Sequence, residues 1–177
     1  MKVIPYVPSD IEEPRAVVTA IRARRGGRLL NLDRMLLHSP PLAAGWNGFL
    51  GAVRSELDVS QKLRELAICA VAVLNRADYE FHHHGPVYLR SGGSTRELEM
   101  LHRIGTPEFD ATAFDSAEQA VIALVVEMTR SVDVSAATMA SVRHALANDR
   151  HVVEIVGVIA AYNMVSRFLV ALGVQPE

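Results

Sequence analysis

Proline and glycine divide this sequence into segments whose apolar residues recur at helical spacing, and no stretch alternates apolar and polar residues like a half-buried strand. Residues suited to begin a helix stand at the starts of these segments: Ser39, Ser60, Asp78, Ser116, Ser135 and Asp149. The stretch "STRE", at 94–97, has the spacing of a reciprocal capping box. The pattern predicts an all-α fold.

The last segment, "HVVEIVGVIAAYNMVSRFLVALG", is apolar on most of its helical circumference. Such a helix lies in the centre of a core or in a subunit interface. Half of the 177 residues are apolar, which suits one globular domain over 1–177 with its own core.

Charge and cysteine usage exclude several classes of protein. The formal net charge is −2, and no basic block is longer than "RARR" at 22–25, so we expect no nucleic-acid partner. A single cysteine cannot form an internal disulfide, the N-terminus lacks the apolar centre of a signal peptide, and runs such as "LAICAVAVL" are too short to span a bilayer. We therefore expect a cytoplasmic protein with no membrane partner.

The stretch "NRADYEFHHHGP", at 75–86, combines acids, a tyrosine and three consecutive histidines. In a helix that turns by about 100° per residue, Glu80 and His84 share one face. Tyr79 and His83 share a neighbouring face. An acid and an imidazole on one face are suited to proton transfer, so this stretch is the first candidate for a functional site.

A metal site is the alternative for the same stretch. His82 points away from the other two histidines, so the three rings cannot converge on one ion from a single helix. Glu80, His83 and His84 supply two ligands comfortably and three only with strain, and the pattern H-E-x-x-H is absent. We expect no protein-bound metal, and a metal held by His82–His84 remains the open alternative.

Glu65 opens the apolar run "ELAICAVAVL" and has two interpretations. It either stands in a first helical turn, where the helix dipole and Arg64 stabilise it, or it faces inward with a raised pKa suited to proton transfer. Asn163 and Arg167 lie four residues apart on the last helix, so both can face one side. A buried arginine in so apolar a helix needs an anionic partner, either a structural carboxylate or a bound ligand.

Three further residues are assigned to the core. Trp46 and Phe49 are expected to pack as core aromatics rather than as a platform for a ligand. Cys69 lies within an apolar helical segment and is expected to be a small core residue with an inert thiol.

The segment "RELAICAVAVLNRADYEFHHHGPVYLRSGG", at 64–93, resembles the signature region of the carboxymuconolactone decarboxylase family, which also holds the alkylhydroperoxidase D-like proteins. The segment "AYNMVSRFLVALGV", at 161–174, resembles the closing helix of longer members. The resemblance implies an alkylhydroperoxidase D-like helical bundle that assembles as a homo-oligomer, a trimer or hexamer, with the active cleft near a subunit interface. It places the signature helices at 60–93 and leaves 1–37 as an N-terminal extension.

The alkylhydroperoxidase D-like branch of the family that this chain resembles has a characteristic pattern: Glu, eleven residues, Cys-x-x-Cys, three residues and His. In that branch the two thiols perform peroxide chemistry. Laid on this chain, Glu65 and His84 fall on the acid and the histidine, whereas Ala77 and Glu80 take the cysteine positions. Cys69 stands elsewhere. The resemblance therefore implies that the dithiol mechanism is absent.

The decarboxylase branch resembles a pattern of Asn-Arg, Glu, three residues and His, which here is Asn75-Arg76, Glu80 and His84. Those enzymes use neither a metal nor an organic cofactor, and they act on a carboxylated muconolactone in aromatic-acid breakdown. The resemblance implies a cofactor-independent decarboxylase or lyase that transfers protons to or from a small-molecule carbonyl or lactone substrate.

The residues expected to carry that chemistry are the catalytic Glu65, Glu80 and His84 and the substrate contacts Tyr79, His83, Asn163 and Arg167. Two other functions stay open. One is an antioxidant, peroxiredoxin-like protein that uses Cys69. The other is a non-catalytic helical oligomer that binds a small ligand or a metal at the histidines.

Overall fold

The computed structural model describes residues 4–177, so the first three residues of the expected N-terminal extension lie outside the described residues. This part of the chain is helical and contains no strand, which confirms the all-α prediction. Its α-helices are α1 (Arg15–Arg24), α2 (Asn31–Leu36), α3 (Pro40–Ser55), α4 (Gln61–Leu74), α5 (Asp78–Arg90), α6 (Thr95–Leu101), α7 (Ser116–Arg130), α8 (Ala136–Leu146) and α9 (Asp149–Leu172). A short 3₁₀ turn, Ala111–Ala113, precedes α7.

The side chains that cap the helices agree in part with the predicted starts. Three of the predicted serines accept a hydrogen bond from a first-turn amide: Ser60, Ser94 and Ser135. Two other caps lie one residue earlier than predicted. Asp115 rather than Ser116 caps α7, and Asn148 rather than Asp149 caps α9. Asp78 is the first residue of α5 and makes no capping bond.

Helix α4 is the centre of the bundle and packs against α5, α7 and α9. Its residues from Leu66 to Ala72 are all buried, so the hydrophobic effect stabilises it on every side. Helices α4 and α5 form a hairpin through the turn 75–77, in which Arg76 adopts a positive φ of 55°. Glu65 lies ten residues before that turn and His84 seven residues after it, and the antiparallel hairpin brings them face to face.

Two of the three residues assigned to the core are there. Trp46 is 7% exposed and Cys69 is completely buried. The assignment of Phe49 was wrong: its side chain is 51% exposed, because it lies on the outer face of α3 together with Leu42.

Helix α9 contradicts the expectation that every apolar run is too short for a bilayer. It has 24 residues and contains an 18-residue window of mean hydropathy 1.8, which by length and composition alone would allow it to cross a membrane. The core helix of a folded protein meets the same criterion. Half of this window is buried inside the bundle, and α9 packs against α3, α4, α7 and α8.

Candidate acid and base site

Glu65 and His84 form a buried pair between α4 and α5. Nδ1 of His84 lies 2.7 Å from Oε2 of Glu65, and the two residues are only 8% and 5% exposed. The inward interpretation of Glu65 is therefore the observed one, while Arg64 turns away and donates to the carbonyl of Leu57 at 2.7 Å. With Nδ1–H donating to the carboxylate, Nε2 presents its lone pair on the opposite side of the ring.

The opposite edge of the imidazole faces two further groups. Nε2 of His84 lies 3.2 Å from the hydroxyl of Tyr162 and 3.9 Å from Oε2 of Glu80. The Tyr162 hydroxyl accepts a hydrogen bond from Nε of Arg54 at 2.9 Å, so its own proton points to His84. We call these five residues, Arg54, Glu65, Glu80, His84 and Tyr162, the His84 cluster.

Burial controls the protonation of Glu80. Its side chain is 2% exposed, and burial raises the pKa of the carboxyl group although His84 and Arg54 act against the rise. Oε2 of Glu80 has no hydrogen-bond partner. Burial thus shifts Glu80 toward its neutral form, which is the form that can donate a proton.

The two other titratable groups here are also kept neutral. Burial raises the pKa of Tyr162, although Arg54 opposes the rise. Burial also raises the pKa of the Cys69 thiol, and the charges of Glu65 and Glu80 raise it further. A thiol that is buried and held protonated is a poor nucleophile, which agrees with the inert role expected for Cys69.

Tyr79 and His83 belong to a second polar group near the end of the chain. Their ring centroids lie 4.4 Å apart with the planes tilted by 51°. Both side chains face Glu177: the hydroxyl of Tyr79 lies 3.5 Å from its carboxylate and Nε2 of His83 lies 2.9 Å from it. A recess beside this group is lined by the start of α5 and the end of α9. The structure does not bring these two predicted substrate contacts into the His84 cluster.

Asn163 and Arg167 form a third polar group. The amide oxygen of Asn163 accepts from Asn75 at 3.0 Å, and its amide nitrogen donates to Thr129 and to the carbonyl of Ile159. Arg167 donates to the carbonyl and amide oxygens of Asn163 at 3.0 and 3.2 Å. The expectation of a buried Arg167 with an anionic partner was wrong, because its side chain is exposed and neutral oxygens satisfy it.

Sequence reasoning missed two members of the His84 cluster. Tyr162 is completely buried in α9, and the signal for it was a polar group within an apolar helix. Arg54 lies 108 residues from Tyr162 along the chain, and no local pattern marks it.

Metal ligation was also considered for the three consecutive histidines. His82 is exposed, His83 is half-buried and His84 is buried, so the rings diverge as their helical spacing predicts. Throughout residues 4–177, no three His, Cys, Asp or Glu side chains are grouped in a way that could hold a metal ion.

Comparison with solved structures identifies the fold. An uncharacterized peroxidase-related protein from Ralstonia eutropha JMP134, described as an alkylhydroperoxidase AhpD core, superposes with a TM-score of 0.81 at 15% identity, over 99% of this chain and 94% of the other. An uncharacterized peroxidase-related protein from Silicibacter sp. TM1040 gives a TM-score of 0.78 at 19% identity, over 99% and 90%. The debrominase Bmp8, a cysteine-to-alanine variant in complex with 2,3,4-tribromopyrrole, gives 0.78 at 16%, over 100% and 93%.

Sequence comparison finds a family match over part of the chain. No curated protein matches this chain significantly. Residues 40–121, which contain α3 to α6 and the start of α7, match the model of the carboxymuconolactone decarboxylase family. That segment holds four of the five members of the His84 cluster. The chain thus combines an alkylhydroperoxidase D-like fold with a carboxymuconolactone decarboxylase family match over 40–121.

Proposed function

We propose that this protein is a cofactor-independent acid–base enzyme of the decarboxylase or lyase type, acting on a small carboxylated lactone or a related intermediate of aromatic degradation. One observation carries the proposal. The buried Glu65–His84 pair lies beside Glu80, a carboxyl group whose pKa burial raises. A protonated acid and an oriented imidazole are the two groups that protonation of a carbanion needs.

The reaction that we propose balances without a co-reactant. The bond between the lactone carbon and its carboxylate breaks, carbon dioxide leaves, and the electron pair moves into the lactone carbonyl as a dienolate. Glu80 then donates its proton to the substrate carbon. His84, which is 8% exposed, transfers a proton from solvent to the Glu80 carboxylate, and Glu65 stabilises the transient imidazolium.

The antioxidant alternative has less support. The peroxidase and debrominase names describe the similar proteins, and in this chain Ala77 and Glu80 occupy the two positions of the dithiol pattern. The one thiol, Cys69, has no exposed surface and a raised pKa caused chiefly by burial. Peroxide reduction needs an accessible thiolate, so we place the chemistry on protons rather than on sulfur.

We propose in addition that the chain acts as a homo-oligomer of a single domain. The outer face of α3 exposes Leu42 and Phe49, and α9 exposes Val153 and Met164. These side chains are 46, 51, 70 and 41% exposed, and contacts between copies would bury them. Sedimentation velocity measures the assembly, and a monomer at micromolar concentration would contradict this part.

A panel of carboxylated muconolactones and small oxo acids tests the function. Carbon dioxide release is measured for each compound, and product formed in deuterium oxide is analysed by NMR. We expect decarboxylation with one deuterium at the carbon that lost its carboxylate. His84→Ala should remove this activity, whereas His144→Ala, a histidine at the end of α8, serves as the matched control. Peroxide reduction that depends on Cys69, without decarboxylation, would support the antioxidant alternative instead.

A further inference from the structure

The His84 cluster contains two buried polar atoms whose hydrogen-bonding capacity is unused. Nη1 of Arg54 is a charged donor without a partner, and Oε2 of Glu80 lacks one as well. No ion pair joins Arg54 to Glu80 within the part of the chain that the structure describes, although both flank the contact between Tyr162 and His84. Buried polar atoms are nearly always satisfied, so a donor and an acceptor left open in one cluster point to a further polar partner.

The charges around Arg54 identify the sign of that partner. Arg24 and Arg25, at the end of α1, share a single carboxylate, Asp33, at 3.6 and 3.2 Å. Arg54 contacts only the neutral hydroxyl of Tyr162 through its Nε. Within residues 4–177, these three guanidinium groups have one carboxylate, Asp33, within ion-pair distance. The excess positive charge is suited to an anion.

The behaviour of Arg24 supports this interpretation. Burial, together with the nearby charges of Arg25 and Arg54, lowers the pKa of Arg24 to about 10. Its Nε donates to Asn47 on α3 at 2.6 Å, which ties α1 to the helix that carries Arg54. Cations packed closely enough to repel one another gain from an anion that enters between them.

We propose that Arg54 and Tyr162 form the subsite that binds a carboxylate of the substrate and thereby orients the reacting carbon toward Glu80. Guanidinium groups bind carboxylates with paired N–H donors, and Arg54 still has Nη1 to offer. Tyr162 links this subsite to His84, so binding and proton transfer share one hydrogen-bonded chain. This inference rests on the proposed function and specifies the chemical class of its substrate, a small organic anion.

Binding measurements test the subsite without any turnover. The probe is a γ-butyrolactone that carries one carboxylate, and its methyl ester is the neutral counterpart; isothermal titration calorimetry follows both. We expect the carboxylate to bind at least about tenfold more tightly than the ester. Arg54→Met should abolish this preference, Arg54→Lys should keep part of it, and Tyr162→Phe should weaken it less. Arg143→Met, an exposed arginine on α8, is the control and should leave binding unchanged.

Three results would overturn the inference: equal affinity for the acid and the ester, no binding of either, or unchanged carboxylate binding in Arg54→Met. A bridging water alone at the two open atoms would give the first or second of these. Circular dichroism and thermal unfolding verify that each variant folds, and Arg54→Lys with Tyr162→Phe carry the test if Arg54→Met does not. If carboxylate binding depends on Arg54 but no compound of the panel is decarboxylated, the subsite is supported and the proposed function is contradicted. If decarboxylation is unchanged when Arg54 is replaced, the proposed function is supported and the subsite is contradicted.

Discussion

Two polar clusters share the first turns of α4 but differ in how completely their charges are paired. In the Lys62 cluster, which consists of Lys62, Glu97 and Glu118, Nζ of Lys62 lies 3.0 Å from Glu97 and 2.5 Å from Glu118. The second oxygen of each carboxylate accepts a backbone amide, from Ser94 and from Asp115. Three of the four carboxylate oxygens accept a hydrogen bond and the fourth, Oε1 of Glu118, has Lys62 as its ion-pair partner, so the cluster joins α4 to α6 and α7.

Helix α4 contributes Glu65 to the His84 cluster, three residues after Lys62, and the hydrogen bonding of this cluster is incomplete. One carboxyl oxygen of Glu80 and one guanidinium nitrogen of Arg54 have no partner. The pKa shifts differ in the same way. Burial would raise the pKa of Glu97, but Ser94 and Lys62 outweigh burial and lower it, whereas the pKa of Glu80 rises. Full pairing indicates a group that stabilises the fold, and unused capacity indicates a group that awaits a ligand.

The largest difference between the clusters should appear in catalysis. His84→Ala removes the imidazole from the proposed proton path, and we expect kcat/KM for carboxymuconolactone decarboxylation to fall by about 10²–10⁴-fold. Urea unfolding should change much less, because the surrounding apolar core is intact. An activity loss that matches a proportional loss of folded protein would mean that His84 is only structural.

The opposite pattern is expected for Lys62→Met. The substitution leaves two carboxylates facing each other without their cation, and we expect the free energy of unfolding to fall by about 1–3 kcal/mol, at the low end because Lys62 is partly exposed. Urea denaturation measures the loss. The activity of the folded fraction should match that of the wild type, and a selective loss of kcat would contradict the separation of the two clusters.

The pH dependence of stability should distinguish the two buried glutamates. The lowered pKa of Glu97 gives stability that is present above the ordinary carboxyl pKa and is lost as the pH falls through the lowered value. Glu97→Gln should therefore be less stable than wild type at neutral pH and approach it in acid. Urea unfolding at a series of pH values measures the difference.

Glu80 should behave in the opposite sense. Its raised pKa gives a contribution that is present below the ordinary carboxyl pKa of 4.5 and is lost as the pH rises through the raised value. Glu80→Gln, which resembles the neutral acid, should gain stability relative to wild type as the pH increases. Parallel curves for Glu80→Gln and wild type would show that Glu80 is ionised in the folded protein.

The smallest effect is expected at Cys69, the completely buried thiol between the clusters and the core. Cys69→Ala removes one sulfur atom from the packing, and we expect a loss of about 1 kcal/mol in unfolding free energy and no loss of kcat/KM. Decarboxylation kinetics and peroxide reduction are measured on the same preparations. A loss of decarboxylation in Cys69→Ala would place sulfur in the mechanism.

The sequence predicted those parts of the molecule whose cause is local. Helical periodicity and turn residues predicted the helices, and helical spacing predicted that Glu80 and His84 share one face. The direction of Glu65 stayed open in the sequence, and the antiparallel hairpin of α4 and α5 supplies its contact with His84.

The sequence did not predict contacts between distant helices. Tyr162 meets His84 across 78 residues and Arg54 across 108, so only the packing of α3 and α9 on the hairpin brings them together. The same limit explains the error at Phe49: helical periodicity shows that a residue lies on an apolar face, but not whether this chain covers that face.

The residue at position 80 determines whether electrons or a proton can be transferred beside the imidazole of His84. In the dithiol pattern of the alkylhydroperoxidase D-like branch, this position is a cysteine, and its sulfur atom would exchange electron pairs with an oxidant. The carboxyl group of Glu80, 3.9 Å from the ring, has only a hydrogen ion to give. The residues at positions 77 and 80 thus separate the dithiol pattern from the acid–base chemistry that we propose, and paired cysteines introduced at Ala77 and Glu80 would offer a direct route for engineering one into the other.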